Sequence, residues 1–133
     1  MSRIFTIATV FLSVMMMTGQ NAYAIGALAT NVLQGSIAST SPKQYVAVSG
    51  AYTTATAAAH AIAGCGAGCT VRATIKNQCV SVEQGRKNNR TAYTWAVSTS
   101  KSASTRSALS SCRSYGLSRC GAVAIICDGS YRN

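Results

Sequence analysis

Apolar and polar positions along the chain change period twice, in the same order each time. Residues 25–31 (IGALATN) are small and apolar and are expected as a strand, and residues 35–43 (GSIASTSPK) read as a Ser/Thr/Pro loop. Residues 45–52 (YVAVSGAY) form a second strand of β-formers, weakened by Gly50. The period then lengthens. Ala58, Ala61, Ile62 and Cys65 follow one another at helical spacing on a single face, with Thr54 or Thr56 available to cap the start. After the Gly66-Ala67-Gly68 turn the period returns to two. Val71, Ala73 and Ile75 alternate with Thr70, Arg72, Thr74 and Lys76, giving a strand with one apolar and one basic face.

The order then repeats. Residues 80–84 (VSVEQ) and 91–98 (TAYTWAVS), joined by a turn over 85–90 (GRKNNR), predict a hairpin. A shift of 47 residues carries the first helical stripe onto Thr105, Ala108, Leu109 and Cys112. Residues 120–127 (CGAVAIIC) are apolar on both faces, which assigns them to an interior strand covered on both sides. The fold expectation is α+β: two pseudo-repeated strand-strand-helix-strand units, about 25–79 and about 80–128, forming one small disulfide-stabilised domain.

This arrangement carries a resemblance. Paired strands, an Ala-rich helix running into Cys, a short Cys-to-Cys turn, a strand ending at Asn77-Gln78-Cys79, and a second such passage ending at Cys127-Asp128 are similar to the bacterial secreted family known as domain of unknown function 4189. The resemblance spans about residues 27–128. It implies export and a shared fold, and it implies no common enzymatic activity.

The amino terminus changes the picture of where the protein works. Arg3, the apolar run 4–17 (IFTIATVFLSVMMM) and Ala22-Tyr23-Ala24 read as a secretory signal peptide over residues 1–24, with 25–133 as the mature domain. The expected location is outside the cytoplasm, periplasmic or secreted. The remaining chain has nineteen alanines, four leucines and no phenylalanine, so its core is thin and calls for covalent support. Six cysteines supply it, since disulfides persist in exported compartments. They allow about fifteen pairings. The duplication suggests Cys65 with Cys69 and Cys112 with Cys120 inside the copies, and Cys79 with Cys127 joining them.

Candidate chemistry is sparse. Cys65-x3-Cys69 has zinc-compatible spacing, but oxidation and the lack of a histidine pair argue against a metal, and no cofactor is expected. His60, the only histidine, lies off the apolar stripe, which favours a solvent-facing position over a general base. Glu83 and Asp128 are the only carboxylates, and no nucleophile elbow or phosphate-binding glycine loop accompanies them. No catalytic residue is assigned.

Charge points to binding instead. Without the leader, eleven Lys and Arg face two acids, a net charge of +9, which favours anionic partners. The anion-binding candidates are Arg72 and Lys76 on one strand face, with Arg86, Lys87 and Arg90 in the hairpin between the copies. Trp95 is expected in the core. The expected function is a non-enzymatic interaction module for an anionic polymer, a membrane surface or an acidic protein, with no specific nucleic acid indicated. The alternatives are a small secreted hydrolase of polyanions, ribonuclease-like through His60 and Glu83 or cell-wall-directed, and an inhibitor or host-directed effector.

Overall fold

In the computed structural model, residues 25–36 and 45–133 are described. The expected leader and most of the loop over 35–43 lie outside them. The described chain runs β1 (Ile25–Thr30), β2 (Tyr45–Ala51), α1 (Thr54–Cys65), β3 (Thr70–Lys76), β4 (Gln78–Lys87), β5 (Arg90–Ser98), α2 (Lys101–Ser114) and β6 (Ser118–Asp128). It is the strand-strand-helix-strand order performed twice. The sheets are ordered β2-β1-β3 and β5-β4-β6, and the ladders are antiparallel. Each copy therefore places its first strand in the middle of its own sheet.

The two sheets pack face to face, with one helix on each outer side. Leu28 and Ile75 from the first sheet meet Val80, Val82, Tyr93 and Trp95 from the second. The large side chains are concentrated in this central layer, where their burial removes most apolar area from water. Tyr45 reaches across to Tyr93, edge to face at 5.3 Å. On the outer side of the first sheet, Ala27 and Ala29 face Ala57, Ala61 and Cys65 of α1. Small residues on both partners let helix and sheet approach closely, which explains how an alanine-rich chain packs at all.

The duplication extends to the helix ends. Thr53 caps α1 by accepting the Thr56 N–H at 3.0 Å, and Ser100 caps α2 by accepting the Ala103 N–H at 3.2 Å. These two caps are 47 residues apart, as are the buried pairs Ala57 and Ser104, Ala61 and Ala108, and Cys65 and Cys112. The expected caps Thr54 and Thr56 are corrected to Thr53. The buried stripe also turns slightly, to Ala57, Ala61 and Cys65, leaving Ala58 and Ile62 half-buried.

The disulfides are Cys65–Cys69, Cys79–Cys127 and Cys112–Cys120. This is the pairing that the duplication suggests, but one bridge has a different role. Cys79 belongs to β4 and Cys127 to β6, neighbours in the second sheet, where they sit opposite each other with Cα atoms 4.0 Å apart. The bridge therefore closes the second copy and does not tie the two copies together.

Three further expectations are corrected by pairing. The β4–β5 ladder continues to Lys87 and Arg90, so the turn shrinks from six residues to Asn88-Asn89, both at positive φ. Asparagine tolerates that conformation, which two-residue hairpins require. In β3, Leu28 pairs with Ala73 and Ala29 with Val71, so Arg72 is an extra residue that breaks the strict apolar/basic alternation. Finally, the 120–127 run is not interior. It lies in β6 at the sheet edge, with Val123 and Ile125 41% and 36% exposed.

The central position goes instead to β4, which carries the polar residues Ser81 and Glu83. Their face is covered by α2, where Ser81 Oγ is 2.8 Å from Ser104 Oγ and Thr94 Oγ1 donates to the Ala108 carbonyl at 2.9 Å. Hydroxyls on the helix satisfy hydroxyls on the sheet, so polar residues can occupy the interior. The opposite edge of this sheet is covered as well. The Gln34 side chain donates to the Trp95 carbonyl and accepts its N–H, and the Gly35 N–H donates to the Tyr93 carbonyl.

Candidate anion-binding site

Nine consecutive residue pairs carry the β4–β5 hairpin away from the disulfide at its base. That ladder carries Arg86, Lys87 and Arg90 to one end of the molecule. The Arg86 Nη2 donates to the Asn89 carbonyl at 2.7 Å, bracing the turn, and Ser118 Oγ donates to the Arg86 carbonyl at 3.2 Å, bringing the start of β6 alongside. Arg86, Asn88, Asn89, Ser118 and Arg119 line a cleft of about 430 Å³. Its walls carry two guanidiniums and two carboxamides able to donate to an oxyanion, beside the Ser118 hydroxyl whose proton goes to the Arg86 carbonyl.

The other two candidates are elsewhere. Arg72 is committed to the end of the first sheet, its Nε donating to Thr30 Oγ1 at 2.9 Å and its Nη2 to the Val32 carbonyl at 3.3 Å. Lys76 is exposed and borders a separate, smaller cleft of about 160 Å³ with Thr54, Thr74 and Gln78. The five cations therefore do not form one patch. Three of them gather at the hairpin tip, and Arg119 joins them. Charge alone marked Arg119 as no different from the other arginines, because only the β4–β6 register brings it to the tip.

The carboxylates are withdrawn from the surface. Glu83 and Asp128, the only two acidic residues in the sequence, are 2% and 8% exposed. No acidic side chain therefore shares the surface with the arginines and lysines, and the positive field at the tip is uncompensated. Glu83 Oε2 and Asp128 Oδ2 are each buried without a hydrogen-bond partner among the described residues. Burial pushes the Glu83 carboxyl above its ordinary range, against the pull of Arg113. Burial also raises Asp128, against the Gly50 N–H that donates to its Oδ1 at 3.3 Å.

These shifts have a definite sign in stability. A carboxyl whose folded pKa is raised holds its proton more tightly in the native state than in the unfolded one, so stability is greatest below the unfolded pKa and falls as pH rises through the folded pKa. Urea denaturation is expected to show greater stability just above pH 4 than at pH 7. Glu83→Gln should flatten that slope. An unchanged slope in Glu83→Gln would mean that Glu83 does not contribute to it.

Catalytic geometry is not assembled around these groups. His60 is exposed on α1, outside the first sheet, whereas Glu83 lies beneath α2 on the far side of the second. The two layers of sheet between them separate the pair that a ribonuclease-like mechanism needs within hydrogen-bonding reach. Among the described residues no cluster of His, Cys, Asp and Glu is arranged to hold a metal ion, and no cysteine is free. No described helix is long and apolar enough to cross a membrane. Three disulfides in so small a domain fit an oxidising, extracytoplasmic environment.

The family model described as domain of unknown function (DUF4189) matches residues 34–127. No curated protein and no solved structure matches the chain.

Proposed function

The chain belongs to the DUF4189 family, and from that premise we propose that it is an exported, non-enzymatic interaction module that binds an anionic surface or partner through the tip of the β4–β5 hairpin. The observation that carries this reading is the segregation of charge. Arg86, Lys87, Arg90 and Arg119 converge on one end of the second sheet, while both carboxylates of the molecule are buried. A cationic end without acidic neighbours attracts a polyanion over distances set by the ionic strength. It also sits at the end of a nine-pair hairpin whose base is tied to β6 by a disulfide, which limits the ordering required on binding.

The experiment is elution from an anionic matrix such as heparin or phosphocellulose. A variant carrying Arg86→Ala, Lys87→Ala and Arg90→Ala is expected to elute at lower salt than wild type. The slope of log affinity against log salt should shrink by roughly 2–3, at roughly 0.7–0.9 for each phosphate that the variant no longer neutralises. A variant at Lys76, which is remote from the tip, should elute as wild type does. Identical elution of the triple variant and wild type on every anionic matrix would remove the proposal.

A further inference from the structure

The start of β6 carries an irregularity in its pairing with the hairpin. Gln84 pairs with Gly121 and Arg86 with Ser118, so β6 accommodates one more residue than β4 across this step. Within that bulge Arg119 adopts φ +54, the left-handed region. Glycine takes that conformation at no steric cost, whereas a long side chain pays for it. The arginine there is exposed, so no core packing compensates it. What the bulge does is re-aim the side chain: Arg119 borders the cleft that Arg86, Asn88, Asn89 and Ser118 also line.

We infer that this cleft is a discrete site for a phosphate group, either as the free ion or on a lipid headgroup, with Arg119 held in a strained backbone conformation so that its guanidinium meets the ligand opposite Arg86. The inference rests on the cationic-tip reading and narrows it from a general field to one ligand chemistry. Two guanidinium forks and two carboxamides offer more donors than the two oxygens of a carboxylate can use, and they suit the oxygens of a phosphate. Strain in an exposed residue that serves no packing purpose points to a functional role for that residue.

The test uses protein purified with its disulfides intact and amide resonances as the readout. Inorganic phosphate is expected to shift the amides of residues 86–90 and 118–120 saturably, at lower concentration than acetate. Arg119→Gly should weaken that binding by about tenfold, as expected when one charge-assisted hydrogen bond is removed, while its melting midpoint stays the same or rises because the left-handed backbone is relieved. That combination separates a ligand-binding arginine from a structural one, whose removal would lower the midpoint. Sedimentation with phosphatidylglycerol vesicles, against phosphatidylcholine vesicles, then distinguishes the two sources. Arg119-dependent binding to the former assigns a lipid headgroup, and phosphate binding without vesicle binding assigns the free ion. If phosphate produces no saturable shift at the tip, or Arg119→Gly binds as wild type does, the inference fails. Should elution from anionic matrices still depend on Arg86, Lys87 and Arg90 in that case, the broader electrostatic reading survives it.

Discussion

Replacing Cys79 and Cys127 together by alanine is expected to lower the unfolding free energy by about 4 kcal/mol, the largest effect of any disulfide removal in this protein. The bridge spans 48 residues, and closing a loop of that size restricts the unfolded chain far more than closing a short one. The same relation gives about 2 kcal/mol for Cys65–Cys69 and about 2.5 kcal/mol for Cys112–Cys120, with separations of 4 and 8. Against a typical domain stability of about 5–15 kcal/mol, the long bridge decides whether the fold survives. It also joins β4 to the strand end that carries Asp128, whose carboxylate accepts the Gly50 N–H of the first sheet. Urea unfolding should show the Cys79/Cys127 variant as the least stable of the three, followed by Cys112/Cys120 and then Cys65/Cys69. A Cys79/Cys127 variant no less stable than the Cys65/Cys69 variant would show that loop closure is not what this bridge contributes.

Gly85→Ala is expected to cost about 2–3 kcal/mol, near the upper end for overpacking by a single methyl group. Gly85 lies near the hairpin end of β4, on the face that α2 covers. A Cβ built there comes within 2.7 Å of both Cys112 Sγ and Leu117 Cβ. Neither neighbour can yield easily. Cys112 is fully buried and bonded to Cys120, and Leu117 packs against it in the small cluster beneath the end of α2. The substitution must therefore push the helix end away from the sheet, and with it the start of β6, which borders the anion-binding cleft. Gly121→Ala, where an added Cβ meets nothing, is the control. Denaturation midpoints that fall equally in both variants would mean that replacement of glycine itself, and not the close approach at Gly85, is responsible.

The parts of the fold that were legible in the sequence were those written in local spacing. The helical stripes recur 47 residues apart with their cysteines, and an alternating stretch remains a strand whatever it packs against. Misreadings arose where a neighbour distant in sequence decided the outcome. The run Cys120 to Cys127 looks interior because it is apolar on both faces, yet it is an edge strand, since it pairs with β4 alone and its outer residues Val123 and Ile125 stay exposed. The burial of Ser81 in central β4 likewise depends on α2, which supplies hydroxyl partners from Ser104 and Thr105. The cationic candidates divide for the same reason: Arg72 and Lys76 share a strand pattern with no bearing on the hairpin, and the bulge absorbs Arg72 into the end of β1.

The sequence by itself determined the duplication, the α+β class and the excess of positive charge, because each depends on residue type and on separation along the chain, and through the duplication it suggested the cysteine pairing that the structure shows. Only the tertiary structure decided which strands are central, that the long disulfide lies within one sheet, that both carboxylates are buried and that Arg119 joins the hairpin tip. Those outcomes follow from register and layer order. They are set by contacts between segments tens of residues apart, where the pattern within any one segment carries no information about its partner.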